Sequence, residues 1–359
     1  MNGPPRRTAL DSRGRDTTVF ADTQRTGRHR PPKPRRLRTP VRHHRARLAA
    51  AIAAVTAAVA IALIIAVPRA AGPGQVAPSA PRHARFALPT APGSYIGFYP
   101  DGVPMSYAGV TAFTTATGVK PRVVPYYSGW LEPFQASFAA TAARDGAVPL
   151  VQINPDRTSV ARIASGRYDG YLSTYAEAVR EYRHPVILSF GHEMNGYWYS
   201  WGYQHTAPAV FVAAWRHIVT LFRSLGARNV TWLWTINTIH KRAGVPSPGP
   251  WWPGSSYVTW VGIDGYYYDS SSMFASLFGP TVAAVRELTR APILIAETAA
   301  APAAGQPAKI ADLFAGIRQY ELLGFVWFNH VHIRDWRLSS PAAAAAFRRG
   351  AKTYQRPAS

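Results

Sequence analysis

The chain has no cysteine among its 359 residues. Disulfides, thiolate metal sites and cysteine nucleophiles are therefore excluded. Acidic residues are also scarce, with 18 Asp and Glu against 40 Lys and Arg. Any carboxylate that recurs at an ordered position then carries more information than it would in an acid-rich chain. Long apolar runs are rare too. The one uninterrupted example is Leu48 to Val67, twenty residues with Thr56 as its sole polar side chain. A helix of that length rises about 30 Å, the thickness of a bilayer's hydrocarbon core.

The basic excess is unevenly spread. Residues 1–47 carry 13 Arg and one Lys against three Asp, a net +11, and residues 48–359 carry the other +11. The first stretch lacks periodic apolar residues, so it cannot bury enough surface to offset its ordering entropy; it is expected to be a disordered basic tail. Arg42, Arg45 and Arg47 flank the amino end of the apolar run. The positive-inside rule then places the tail in the cytoplasm, 48–67 across the membrane as an anchor, and the remainder outside. Secretion after cleavage of an export signal is the alternative, although Pro68 and Arg69 sit where small residues are wanted. Beside a membrane span, basic residues are explained by orientation and anionic lipid, so no nucleic-acid partner is expected. Residues 68–92 are rich in Pro, Ala and Gly and read as a spacer. The remaining 93–359 form the candidate globular domain.

Within it, short apolar runs alternate with helical patterns. Strand-like runs occupy Tyr95–Tyr99, Arg122–Tyr127, Val148–Asn154, Pro185–Phe190, Val230–Asn237, Tyr257–Asp264, Pro292–Glu297 and Phe325–Asn329. Most are too apolar to alternate, as expected of strands covered on both faces. The clearest helix is Ala207–Leu225. Phe211, Trp215, Ile218, Phe222 and Leu225 step along one face, with Thr206 as the expected N-cap and Pro208 in the first turn. Eight strands with intervening helices point to an α/β fold, a (β/α)8 barrel, with a doubly wound sheet as the rival.

Three acids follow strand-like runs: Glu193, Asp264 and Glu297. In a barrel, the carboxyl ends of the strands form the functional mouth. Glu193 and Glu297 are 104 residues apart, about three β/α units, so both would reach it. Two carboxyls facing one mouth are the equipment for glycoside hydrolysis, in which one protonates the leaving oxygen and the other attacks or activates water. All 11 Trp lie beyond residue 129, and flat amphipathic rings suit the C–H faces of sugars. The run His192-Glu193-Met194-Asn195-Gly196 mimics a zinc-protease motif, but that motif needs a second His where Gly196 stands. His330 and His332 lack a partnering cluster, and neither a metal nor a cofactor is called for.

The segment HEMNGYWYSWG resembles the acid/base segment of glycoside hydrolase family 26. NVTWLWTIN, YVTWVGIDGYYYD, PILIAETA, FVWFNH and DWRLSSPAAAAAFR follow in that family's order. The resemblance covers roughly residues 95–348. It implies a (β/α)8 barrel that hydrolyses a β-linked polysaccharide, with β-1,4-mannan as the leading substrate and mixed-linkage glucan or β-1,3-xylan as alternatives. It implies further that Glu193 is the acid/base and Glu297 the nucleophile of a retaining double displacement. His192 and Trp198 then match residues lining the sugar site, Asp264 and Tyr266 residues around the nucleophile, and Trp327 the platform beneath the sugar. A monomeric enzyme without cofactor is expected. A barrel that binds polysaccharide without cutting it is the rival from another class.

Overall fold

A computed structural model describes residues 86–240 and 244–354. Eight parallel strands close into a barrel in sequence order: β1 (Tyr95–Pro100), β2 (Val123–Gly129), β3 (Val148–Asn154), β4 (Val186–Phe190), β5 (Val230–Asn237), β6 (Trp260–Asp264), β7 (Ile293–Thr298) and β8 (Gly324–Asn329). β8 returns to β1 along six residue pairs, from Tyr95 beside Gly324 to Pro100 beside Asn329. The seam requires glycine at 324. Its φ is 145°, and a Cβ there would meet the Tyr95 carbonyl oxygen at 1.8 Å. The closed barrel excludes the doubly wound sheet.

The helices are α1 (Ala108–Thr117), α2 (Ala136–Arg144), α3 (Val160–Ala164), α4 (Asp169–Tyr182), α5 (Pro208–Ser224), α6 (Phe274–Leu277), α7 (Gly279–Leu288), α8 (Gln306–Gln319) and α9 (Pro341–Tyr354). A two-residue hairpin, β9 (Val331–His332) with β10 (Arg334–Asp335), follows β8. Between β5 and β6 the described residues form no α-helix, only single 3-10 turns at Gly249–Trp251 and Ser255–Tyr257. β6 accordingly starts at Trp260, three residues later than its apolar run suggests. The carbonyls of Ser256 and Tyr257 face α5 instead, where they accept from Arg223 and from the Trp215 indole.

The core has two layers. Tyr95, Val123, Leu150, Ile187, Leu233, Trp260, Leu294 and Val326, one from each strand, form a separate buried cluster. Residues drawn from every strand can meet only inside the barrel, so this is its plug. Leu88 packs against the plug and Pro89 accepts a bond from the Tyr95 hydroxyl. The end of the expected spacer thus belongs to the barrel's floor. The second, larger layer lies between strands and helices. There α5 buries Phe211, Trp215, Ile218 and Phe222, as its periodicity requires, each worth roughly 1.5–3 kcal/mol. Its start differs from expectation. Ala207 takes the cap position with Pro208 behind it, while the Thr206 hydroxyl donates to the Ser200 carbonyl.

The expected tail, the anchor at 48–67 and most of the spacer lie outside the described residues. Among the described residues, no helix is long and apolar enough to cross a membrane.

Candidate active site

Adjacent strands β5, β6 and β7 end in register. Asn237 pairs with Asp264, and Asp264 with Glu297. Three polar side chains therefore arrive side by side at the carboxyl rim of an otherwise apolar wall. All three are buried.

Glu297 sits within β7, where the pairing with both β6 and β8 shifts register. Its two oxygens accept from two phenols, Tyr127 at the end of β2 and Tyr266, two residues past β6. Burial raises both phenols well above the usual tyrosine range, and the adjacent Glu297 carboxylate raises them further. They stay protonated at any working pH, so they always donate.

Glu193 is built differently. β4 ends at Phe190, and the chain then breaks from strand geometry, with φ of 55° at both Gly191 and Glu193. A left-handed glutamate is an uncommon, strained backbone that needs support from its surroundings. The Glu193 amide donates to the Thr235 carbonyl at 2.9 Å, and Gly196 N–H returns to the Glu193 carbonyl at 2.7 Å. One carboxylate oxygen accepts the Trp198 indole N–H at 2.6 Å, the other the Asn237 side-chain amide. The turn needs glycine at 196, where a Cβ would come within 2.3 Å of the Trp198 ring. Glycine is therefore what lets the indole fold back over the turn that carries Glu193.

His192 bridges the two halves. Its ring lies 5.5 Å from that of Tyr127 and 5.0 Å from that of Tyr199. Burial lowers its pKa to about 3, so the imidazole is neutral. Nδ1 donates to Asn154 at the end of β3 (3.0 Å), and Nε2 accepts from the Tyr199 hydroxyl (3.2 Å). Tyr199 stacks on Trp201 at 4.2 Å, and the Trp201 indole donates to the His192 carbonyl. The aromatic burst after Glu193 is thus divided. Trp201 is internal scaffold, while Tyr197 and Trp198 remain open to solvent at the rim.

Of the residues expected at the site, Glu193, Glu297, His192, Trp198, Asp264 and Tyr266 do converge on the mouth. Trp327 does not. It is fully buried on the outer face of β8, packed edge-on against Phe347 of α9 at 6.1 Å. Side chains alternate along a strand, and Val326 points into the plug, so the next inward position is Phe328. Phe328 stacks on Tyr99 at 4.9 Å and meets Tyr266 edge-on. The mouth's tryptophan on this side is Trp336, carried by the β9–β10 hairpin, with its ring 4.6 Å from that of Tyr266. Its backbone N–H bonds the His330 carbonyl, and the His330 imidazole in turn bonds Asp101. The sequence reading missed Trp336, Tyr127 and Asn237. A period-two count along FVWFN would have rejected Trp327, but nothing local marks Tyr127 as a partner of an acid 170 residues away.

Comparison with known proteins points to a glycoside hydrolase. Residues 156–316, which contain both Glu193 and Glu297, match the model of glycosyl hydrolase family 26. The match supports the resemblance to glycoside hydrolase family 26 that the motifs carry. Endoglucanase H of Acetivibrio thermocellus is 29% identical over 71% of this chain and 30% of its own length. A β-1,3-xylanase of a Vibrio species is 27% identical over 43% of this chain and 35% of its own. The chain thus spans about a third of the length of the curated relatives it matches. A modular endo-β-1,4-mannanase from Cellulomonas fimi has the same fold, with a TM-score of 0.58 at 16% identity, over 72% of this chain and 70% of that one.

Proposed function

We propose that this barrel is a retaining endo-β-glycosidase, with Glu297 as nucleophile and Glu193 as general acid and then base. The observation that carries the proposal is the pair of buried carboxylates at the ends of β4 and β7, each held by two donors that keep their protons at working pH. Glu297 attacks the anomeric carbon while the Glu193 carboxyl protonates the departing oxygen. A glycosyl ester forms on Glu297. Water then attacks the same carbon, Glu193 accepts its proton, and the ester bond breaks to release sugar and free carboxylate. The two phenols share the charge of Glu297 in the free enzyme and stabilise it as it leaves the sugar in the second step. Trp336, Phe328 and Tyr99 form the apolar floor on which a pyranose ring would rest.

For the substrate, a β-linked glucan ranks first, because the curated relative with the longest match is named an endoglucanase. β-1,4-Mannan, suggested by the motif resemblance, and β-1,3-xylan, suggested by the name of the Vibrio relative, are the alternatives. Anchoring through 48–67 with the barrel outside the cell would place the enzyme next to such polymers. Reducing-sugar release by the full-length chain from β-1,4-glucan, mixed-linkage glucan, mannan and β-1,3-xylan decides among them. A 2-deoxy-2-fluoro glycoside of the preferred sugar should become covalently attached to Glu297, as read by peptide mass spectrometry. No sugar release from any of the four, together with retention on one in affinity electrophoresis, would make the barrel a binding protein.

A further inference from the structure

Pairing between β4 and β5 stops early. It runs from Val186 beside Val230 to Leu188 beside Trp232, five residues short of the end of β5. Beyond that point Thr235 is served by the Glu193 amide. The backbone of Asn237 is served by a side chain. The Asn195 amide group donates from Nδ2 to the Asn237 carbonyl at 2.9 Å and accepts the Asn237 N–H on Oδ1 at 2.8 Å. A primary amide placed this way reproduces the two bonds that a neighbouring strand would make. Its second Nδ2 hydrogen reaches the Pro246 carbonyl at 3.3 Å. Asn195 is completely buried and every polar atom of its side chain is used.

What this holds in place is the donor to the acid/base. Asn237 Nδ2 bonds one oxygen of Glu193, while the Thr238 hydroxyl at 3.3 Å fixes the other end of the same amide. On its far side Asn237 pairs with Asp264 of β6. Removing the Asn195 clamp frees the Asn237 backbone only on the side facing Glu193.

We infer that Asn195, which meets no substrate, is a positioning residue that sets the proton-transfer geometry of Glu193 by holding the Asn237 backbone as a surrogate strand. The inference rests on the hydrolase reading for its kinetic consequence, not for its structural one. An amide that donates to a carboxylate favours the ionised form. When Asn237 is released, Glu193 should hold its proton to higher pH. The other groups facing Glu193 are the Trp198 indole from its own turn, Glu297 on β7, Asp264 on β6, Tyr266 beyond it, and neutral His192. None of them is bonded to Asn195.

The test compares full-length wild type with Asn195→Ala, Asn237→Ala and Glu193→Gln. The first readout needs no turnover. The indole resonance of Trp198, whose N–H bonds Glu193, is assigned by its loss in Trp198→Phe and followed by NMR across pH. Its transition should vanish in Glu193→Gln, and in Asn195→Ala should move up by about half a pH unit or more, as in Asn237→Ala. A resonance that behaves as wild type in Asn195→Ala overturns the inference. The second readout is kinetic. Asn195→Ala should lose about 100-fold in kcat/KM on polysaccharide but under about fivefold in kcat/KM on a dinitrophenyl glycoside, whose leaving group needs no proton in the first step. Equal losses on both substrates would mark a merely structural residue and overturn the inference. If wild type itself turns over nothing, the hydrolase reading fails and the NMR transition alone decides the role of Asn195. Should Asn195→Ala not fold, Asn195→Ser is read by the same criteria.

Discussion

The two carboxylates of the mouth are held by opposite means. Glu297 lies within a strand of the closed barrel wall, at a shift in its pairing register, and its donors come from distant parts of the chain, Tyr127 from β2 and Tyr266 from beyond β6. Glu193 lies on a broken, left-handed turn, and one of its donors is only five residues away. The difference matches the roles assigned to them. A nucleophile must keep one position while a bond forms and breaks, and a closed barrel wall is the stiffest place to put it. A group that donates and later accepts a proton must reach a leaving group on one pass and a water on the next. A turn carrying its own aromatic lid provides that reach without disturbing the wall.

The comparison can be broken experimentally, and the largest effect should come from the acids themselves. Glu297→Ala should lower kcat by at least about 10,000-fold on every substrate while polysaccharide binding persists in affinity electrophoresis. Glu193→Gln should lose about 1,000-fold on polysaccharide yet retain most of its first-step rate on a dinitrophenyl glycoside. A uniform loss in Glu193→Gln would erase the distinction between the two carboxylates.

Next come the donors. Tyr127→Phe and Tyr266→Phe should each cost about 100-fold, equally on natural and activated substrates, because they act on the nucleophile. Trp198→Phe should instead show a loss that depends on the leaving group. Steady-state kinetics on both substrate types separates these patterns.

A smaller effect tests the turn. Gly196→Ala places a methyl against the Trp198 ring, so the indole must shift. A loss of about tenfold in kcat with folding retained is expected, measured beside thermal unfolding. An unchanged rate would mean that Trp198 does not need its observed position.

The smallest effect concerns the bridge between the halves. Burial lowers the pKa of His192 to about 3, against 6.5 for the free side chain. The unfolded chain therefore binds a proton in that interval that the folded chain refuses. Stability from this group is complete above about pH 6.5 and declines as the pH falls toward about 3. Thermal midpoints should drop over that window, and His192→Asn should flatten the slope.

The segments read differently for physical reasons. The aromatic face of α5 and the eight apolar strands were legible because burial imposes a period on contiguous residues. Glu193 and Trp198 were legible because the motif that carries them is one contiguous segment. Thr206 was misjudged as a cap because the hydroxyl's competing partner, the Ser200 carbonyl, depends on how the loop folds back. Trp327 was misplaced because aromatic identity was weighed above strand alternation, and a one-residue change of face sends a side chain from the mouth to the helix layer.

The sequence by itself determined the strands, the acids at their ends and the family they resemble. Which phenols hold Glu297, which amide holds Glu193 and which tryptophan faces the mouth were decided only by closing the barrel. Closure sets residues 170 positions apart beside each other through strand register, and register between distant strands leaves no local pattern in the chain.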